Sequence, residues 1–96
     1  MSEVLLRKGQ YKNGQHSYEI PYVNRRKHGI EKWYYDNGQP RCEIPWTNGQ
    51  LHGIVKYYYE DGQPKAVRYY WRGTEITKEE WDNIPRLTKL LNGTNE

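Results

Sequence analysis

The chain has 96 residues, 15 basic against 12 acidic, for a formal net charge of +3. That is room for one domain with a modest core, and the charge is too mild to require nucleic acid as a partner. Ten tyrosines and four tryptophans argue against disorder, and no apolar run is long enough for a membrane-spanning helix.

A single cysteine, Cys42, excludes an internal disulfide and fits a reducing cytoplasm, and no secretory leader is expected. Reading from the start, the chain soon repeats itself. Asn13-Gly14-Gln15 recurs as Asn37-Gly38-Gln39 and as Asp61-Gly62-Gln63, with a period of 24 residues. Ile20-Pro21 recurs at Ile44-Pro45, and His28-Gly29-Ile30 at His52-Gly53-Ile54. Lys8, Lys32 and Lys56 fall in one column, as do Tyr11, Tyr35 and Tyr59. Three units therefore cover roughly residues 4 to 75.

Each unit carries two turn signals. Asn-Gly or Asp-Gly marks a tight two-residue hairpin turn with positive φ at both residues. The second signal is Asn24-Arg25, Asn48-Gly49 or Arg72-Gly73. The runs between them are rich in Tyr, Trp, Ile and Val, which favour strands. One hairpin per unit gives six strands. With Asn37-Gly38 as the loop, Lys32 faces Glu43, Trp33 faces Cys42 and Tyr34 faces Arg41 in a cation–π pair. The same rule pairs Lys8 with Glu19, Gly9 with Tyr18, Tyr57 with Ala66 and Tyr58 with Lys65, and leaves Lys56 against Val67. The pleat puts Trp33, Tyr35, Cys42, Ile44 and Trp46 on the packed face, with Lys32, Tyr34, Arg41 and Glu43 on the wet one. Pro21 and Pro45 each remove a ladder donor, so hairpins splay there or pair more loosely with the next unit.

The segment after residue 75 changes character. Thr77 and Glu80 form a capping box ahead of Trp81, and Ile76 is placed to staple it. Trp81, Ile84, Leu87 and Leu91 would share a helical face, with Pro85 kinking or restarting the helix. This helix is either a fourth half-unit turned into a lid or a tail covering the last hairpin. Asn92 to Glu96 are expected to fray. The fold class is mainly β: an elongated single-sheet array of antiparallel hairpins over 1–75, then a short helical cap and tail over 76–96.

These units resemble MORN repeats, in the variant form of the bacterial YwqK-like antitoxin group. The likeness rests on Trp33-Tyr34-Tyr35-Asp36-Asn37-Gly38-Gln39, Asn48-Gly49-Gln50-Leu51-His52-Gly53 and Tyr57-Tyr58-Tyr59-Glu60-Asp61-Gly62-Gln63. The first unit departs from it, with Gly9-Gln10 in place of the aromatic pair and Asn24-Arg25-Arg26 in place of Asn-Gly-Gln. The resemblance implies an array that binds other proteins, with lipid binding for some members, and no catalytic residues.

The residues agree that chemistry is absent. Ser2 and Ser17 are the only serines, and His16 beside Ser17 points to the opposite face of a strand. His28 and His52 read as turn formers rather than metal ligands, and Cys42 as a small buried filler. No metal, cofactor or enzymatic activity is expected. The expected contact residues are Tyr34 and Tyr58 with Arg41 and Lys65, and the basic run Arg25, Arg26 and Lys27 in a turn.

The leading expectation is a non-catalytic module that neutralises another protein, a toxin or nuclease. A phage-encoded inhibitor of a host defence nuclease, anti-CRISPR-like, has the same appearance in sequence. Binding of single-stranded nucleic acid through Tyr and Arg ranks second by mechanism, because acids such as Glu31, Glu43 and Glu60 dilute every basic strip. Membrane binding ranks below it. The strand near Val4 to Tyr11 has no guard, so a homodimer through that edge is also expected.

Overall fold

The structure is a computed structural model, and it describes residues 3–91. Ser2 and the expected fraying of Asn92 to Glu96 lie outside the described residues. The first repeat holds β1 (Val4–Gln10) and β2 (His16–Val23). The second holds β3 (Arg26–Lys27), β4 (Gly29–Tyr34) and β5 (Pro40–Thr47). The third holds β6 (Gln50–Leu51), β7 (Gly53–Tyr58) and β8 (Pro64–Trp71), followed by β9 (Thr74–Ile76). Two short helices close the described chain, α1 (Lys78–Asn83) and α2 (Arg86–Leu91). All strands belong to one antiparallel sheet of order β1-β2-β4-β5-β7-β8-β9, with β3 on β2 and β6 on β5. The six expected strands are all present; β3, β6 and β9 are short additions.

A single sheet has two faces and nothing to sandwich between them. The molecule measures 43 × 39 × 18 Å. Its accessible surface is 6838 Å², against about 5,800 Å² for a globule of its 11.6 kDa. Among the described residues the buried apolar side chains are Val55, Trp81 and Pro45, and they are matched by buried Glu31, His52 and Lys89. Cohesion must therefore come largely from hydrogen bonding between repeats.

Those bonds recur with the repeat. Tyr11 Oη donates to the Tyr34 carbonyl and Tyr35 Oη to the Tyr58 carbonyl, each at 2.7 Å. Asn13 Nδ2 donates to the Asp36 carbonyl at 2.8 Å, and Asn37 Nδ2 to the Glu60 carbonyl at 2.9 Å. At the other end, His28 Nδ1 accepts from Asn48 N and His52 Nδ1 from Arg72 N. Each of the first two repeats thus fastens the glycine loop of the next, and each histidine ties the turn that closes its own repeat, so the histidines act at the turns as expected.

The turns are the reverse of the sequence expectation. At Asp36-Asn37-Gly38 only Gly38 has positive φ, and Tyr35 N donates to the Gln39 carbonyl at 2.8 Å. That is a three-residue loop closed by a left-handed glycine, not a two-residue turn. The two-residue turns with positive φ throughout are Asn24-Arg25, Asn48-Gly49 and Arg72-Gly73.

The longer loop shifts the register. Lys32 faces Glu43 and Trp33 faces Cys42, as expected, but Tyr34 faces Pro40. Arg41 is the extra residue of a bulge, and the same shift sets Tyr58 against Pro64 and leaves Lys65 unpaired. The expected pairs Tyr34–Arg41 and Tyr58–Lys65 do not form.

Pairing between repeats is brief, in line with the prolines. β2 meets β4 only at Tyr18–Trp33 and Glu19–Lys32, and β5 meets β7 only at Cys42–Tyr57 and Glu43–Lys56. Beyond these pairs lie Gly29 and Gly53, with φ of 110° and 123°.

The cap carries the expected box: Thr77 Oγ1 accepts from Glu80 N while Glu80 Oε1 accepts from Thr77 N. Pro85 separates two helices, so the expected common face is broken. Trp81 is buried beside Tyr69 and Trp71, but Leu87 and Leu91 are exposed, and Lys89 is buried over the Trp81 ring instead.

Candidate functional site

The bulges build the main concavity. Arg41 and Lys65, released from ladder pairing, stand beside the face that carries Trp33, Tyr35, Cys42 and Ile44. With Tyr57 and Tyr58 these residues line a groove of about 500 Å³. The Arg41 guanidinium lies 5.7 Å from the Tyr35 ring centre, and Lys65 Nζ lies 5.7 Å from that of Tyr59. Tyr35 thus takes the cation–π role expected of Tyr34. The two cations are one repeat apart, which is two strand spacings, or about 10 Å. Both are exposed, so the groove presents an aromatic floor with two positive groups at its rim.

Tyr34 and Tyr58 are placed differently. Tyr34 Oη donates to Glu19 at 3.2 Å and Tyr58 Oη to Glu43 at 2.7 Å. The hydrogen bond to Glu43, with burial and the carboxylate charge, pushes the Tyr58 phenol up to about 12. Burial and the Glu19 charge raise that of Tyr34 as well. Tyr58 still borders the groove, whereas Tyr34 does not. Their carboxylates belong to a line running across the sheet through register neighbours: Lys8, Glu19, Lys32, Glu43, Lys56 and finally Val67.

The basic run is divided. Arg25 sits in the turn with φ 67°, and Arg26 is exposed. Lys27 is not in the turn but in β3, and its Nζ bonds Glu31 at 3.0 Å and lies 4.7 Å over Trp46. Glu31 is only 4% exposed and also accepts from the indole nitrogens of Trp33 and Trp46. This cluster was missed in the sequence. Its signal was the pleat, which places Glu31 on the same face as Trp33 and Tyr35, where a carboxylate needs donors.

Cys42 sits in the groove floor. Burial, then the Glu31 charge, pushes its thiol up, which opposes thiolate reactivity. Among the described residues no group of three or more His, Cys, Asp or Glu is placed to hold a metal ion. No described helix is long and apolar enough to cross a membrane.

The geometry defines an open repeat array, a class whose exposed sheet faces serve as binding surfaces. The family model for the MORN repeat variant matches three times, at residues 4–24, 27–48 and 51–72. The chain belongs to the MORN repeat variant family. Repeats of this kind are generally non-catalytic. Comparison with curated proteins and with solved structures finds no match.

Proposed function

We propose that the chain is a protein-binding module that neutralises a partner by occupying it, in the manner of an antitoxin. The supporting observation is the groove, where Trp33, Tyr35 and Tyr57 offer rigid contact area between Arg41 and Lys65. Such a floor immobilises few rotatable bonds on binding. The two rim cations suit a partner surface with two carboxylates about 10 Å apart. A nucleic-acid reading is weaker, because Lys27 is held by Glu31 and the charge line alternates in sign across the sheet.

The test is capture of the partner from the native host, followed by binding and neutralisation assays with purified components. Arg41→Ala/Lys65→Ala should weaken binding by at least tenfold and abolish neutralisation. Arg25→Ala/Arg26→Ala should leave both nearly intact. An interaction that falls steeply with salt and depends only on Arg25 and Arg26 refutes the reading in favour of nucleic acid.

A further inference from the structure

A second surface is carried by the sheet edge, independently of the groove. We propose that the outer edge of β1 is a strand-addition site for an extended segment of another protein, one presenting an aromatic residue, then a carboxylate, then an apolar residue two positions further on. Among the described residues β1 pairs only with β2, so its outer ladder groups are open.

The junction such a segment would make already exists twice inside the sheet. Where β2 meets β4, Glu19 lies between Lys8 and Lys32 and receives the Tyr34 hydroxyl. Where β5 meets β7, Glu43 lies between Lys32 and Lys56 and receives the Tyr58 hydroxyl. β1 carries the receiving half of this junction. Lys8 occupies the column of Lys32 and Lys56, and faces Glu19 on its inner side only. Gln10 occupies the column of Tyr34 and Tyr58; it is exposed, and its amide can donate to a carboxylate as those hydroxyls do.

The neighbouring positions complete the match. Leu6 is 45% exposed and takes the column of Ile30 and Ile54, which line a pocket with Pro45 beside the inner lysines. Gly9 stands where Trp33 and Tyr57 stand, and the Tyr18 ring fills the space above it: a Cβ there would lie 2.2 Å from Tyr18 Cε2. An incoming aromatic therefore meets a ring where β1 has no side chain of its own. Val4 and Leu5 replace the His-Gly step of the inner repeats, and β1 stays paired to β2 along all seven residues.

Charge selects the occupant. At the far end of the array β9 covers Tyr69 to Trp71 of β8, and Val67 stands in the carboxylate column, so β8 of a second copy would leave Lys8 without an opposite charge. Two antiparallel β1 strands paired along their full length would set Arg7 against itself. A foreign acidic strand meets neither obstacle.

The probe is a synthetic peptide with the sequence of residues 16–23, compared with the same peptide carrying Lys in place of its Glu. Backbone amide shifts and hydrogen exchange of the whole chain are read by NMR. The acidic peptide should shift and protect the amides of Leu6, Lys8 and Gln10, and bind at least tenfold more tightly than the Lys peptide. Lys8→Glu should reverse the preference. Lys8→Gln, the milder change, should erase it. Arg41→Ala/Lys65→Ala should bind the peptide as the unaltered chain does, which separates this site from the groove. Three outcomes overturn the proposal: no response in β1, equal affinity for the two peptides, or protection of β1 that arises on concentrating the chain alone and marks a second copy as the occupant.

Discussion

Replacing Glu31 with Ala tests whether a sheet without a sandwiched core is held by its polar clusters. The carboxylate accepts from Lys27 at 3.0 Å, from Trp46 Nε1 at 2.9 Å and from Trp33 Nε1. Alanine strands both indole N–H groups. A donor left unsatisfied costs about 1–3 kcal/mol, and since both tryptophans are only partly buried the lower half of that range applies to each. Lys27 is about one third exposed and regains water, so its loss adds about 0.5 kcal/mol. The sum is about 3 kcal/mol, or a fall in Tm of about 12–15 °C for a domain of this size. Thermal unfolding followed by near-ultraviolet circular dichroism reads it directly, because the tryptophans report their own packing. Lys27→Met leaves the indole bonds in place but strips the buried carboxylate of its cation, and should itself cost about 3 kcal/mol. A Glu31→Ala protein that melts within about 2 °C of the unaltered chain would refute the reasoning.

Asn37→Asp keeps the acceptor for Gln39 N but deletes the donor to the Glu60 carbonyl, and should cost about 1 kcal/mol; Asp61→Asn, in the last repeat, should change little. Equal Tm shifts for the two would contradict the stapling of repeats through this column. His52 is held neutral by burial and, secondarily, by Arg72, so its folded pKa lies below 6.5. The unfolded chain then binds more protons as pH falls below about 6.5, and stability declines there. His52→Asn, which retains an acceptor for Arg72 N, should flatten the decline measured by urea unfolding between about pH 7.5 and 5.5; an unchanged slope counts against it. In a spectrophotometric titration Tyr58 should be only roughly one tenth ionised at about pH 11, where an ordinary phenol is roughly nine tenths ionised. Tyr58→Phe should remove one late-titrating phenol, and a late component that survives the change assigns it elsewhere.

The repeat, its strands and much of the register were legible in the sequence because they depend on short-range rules. Alternation with period two sorted Trp33, Cys42 and Ile44 from Lys32 and Glu43, and opposite charge paired Lys8 with Glu19 and Lys32 with Glu43. The capping box at Thr77 and Glu80 was equally local. The groove was not legible, because it depends on one bulge per hairpin. That extra residue comes from the three-residue glycine loop, and it carries Arg41 and Lys65 away from Tyr34 and Tyr58. Tyr34 and Tyr58 were singled out as contact residues, yet stacking on the preceding repeat places Glu19 and Glu43 within reach of their hydroxyls. The fate of Lys27 depended on a buried carboxylate four residues away, whose need for donors appears only once the pleat closes around it. Short-range periodicity determined which residues form strands and which face most of them share. Only the stacking of repeats decided which polar groups are satisfied within the sheet and which remain for a partner, because those bonds join residues 15 to 23 positions apart.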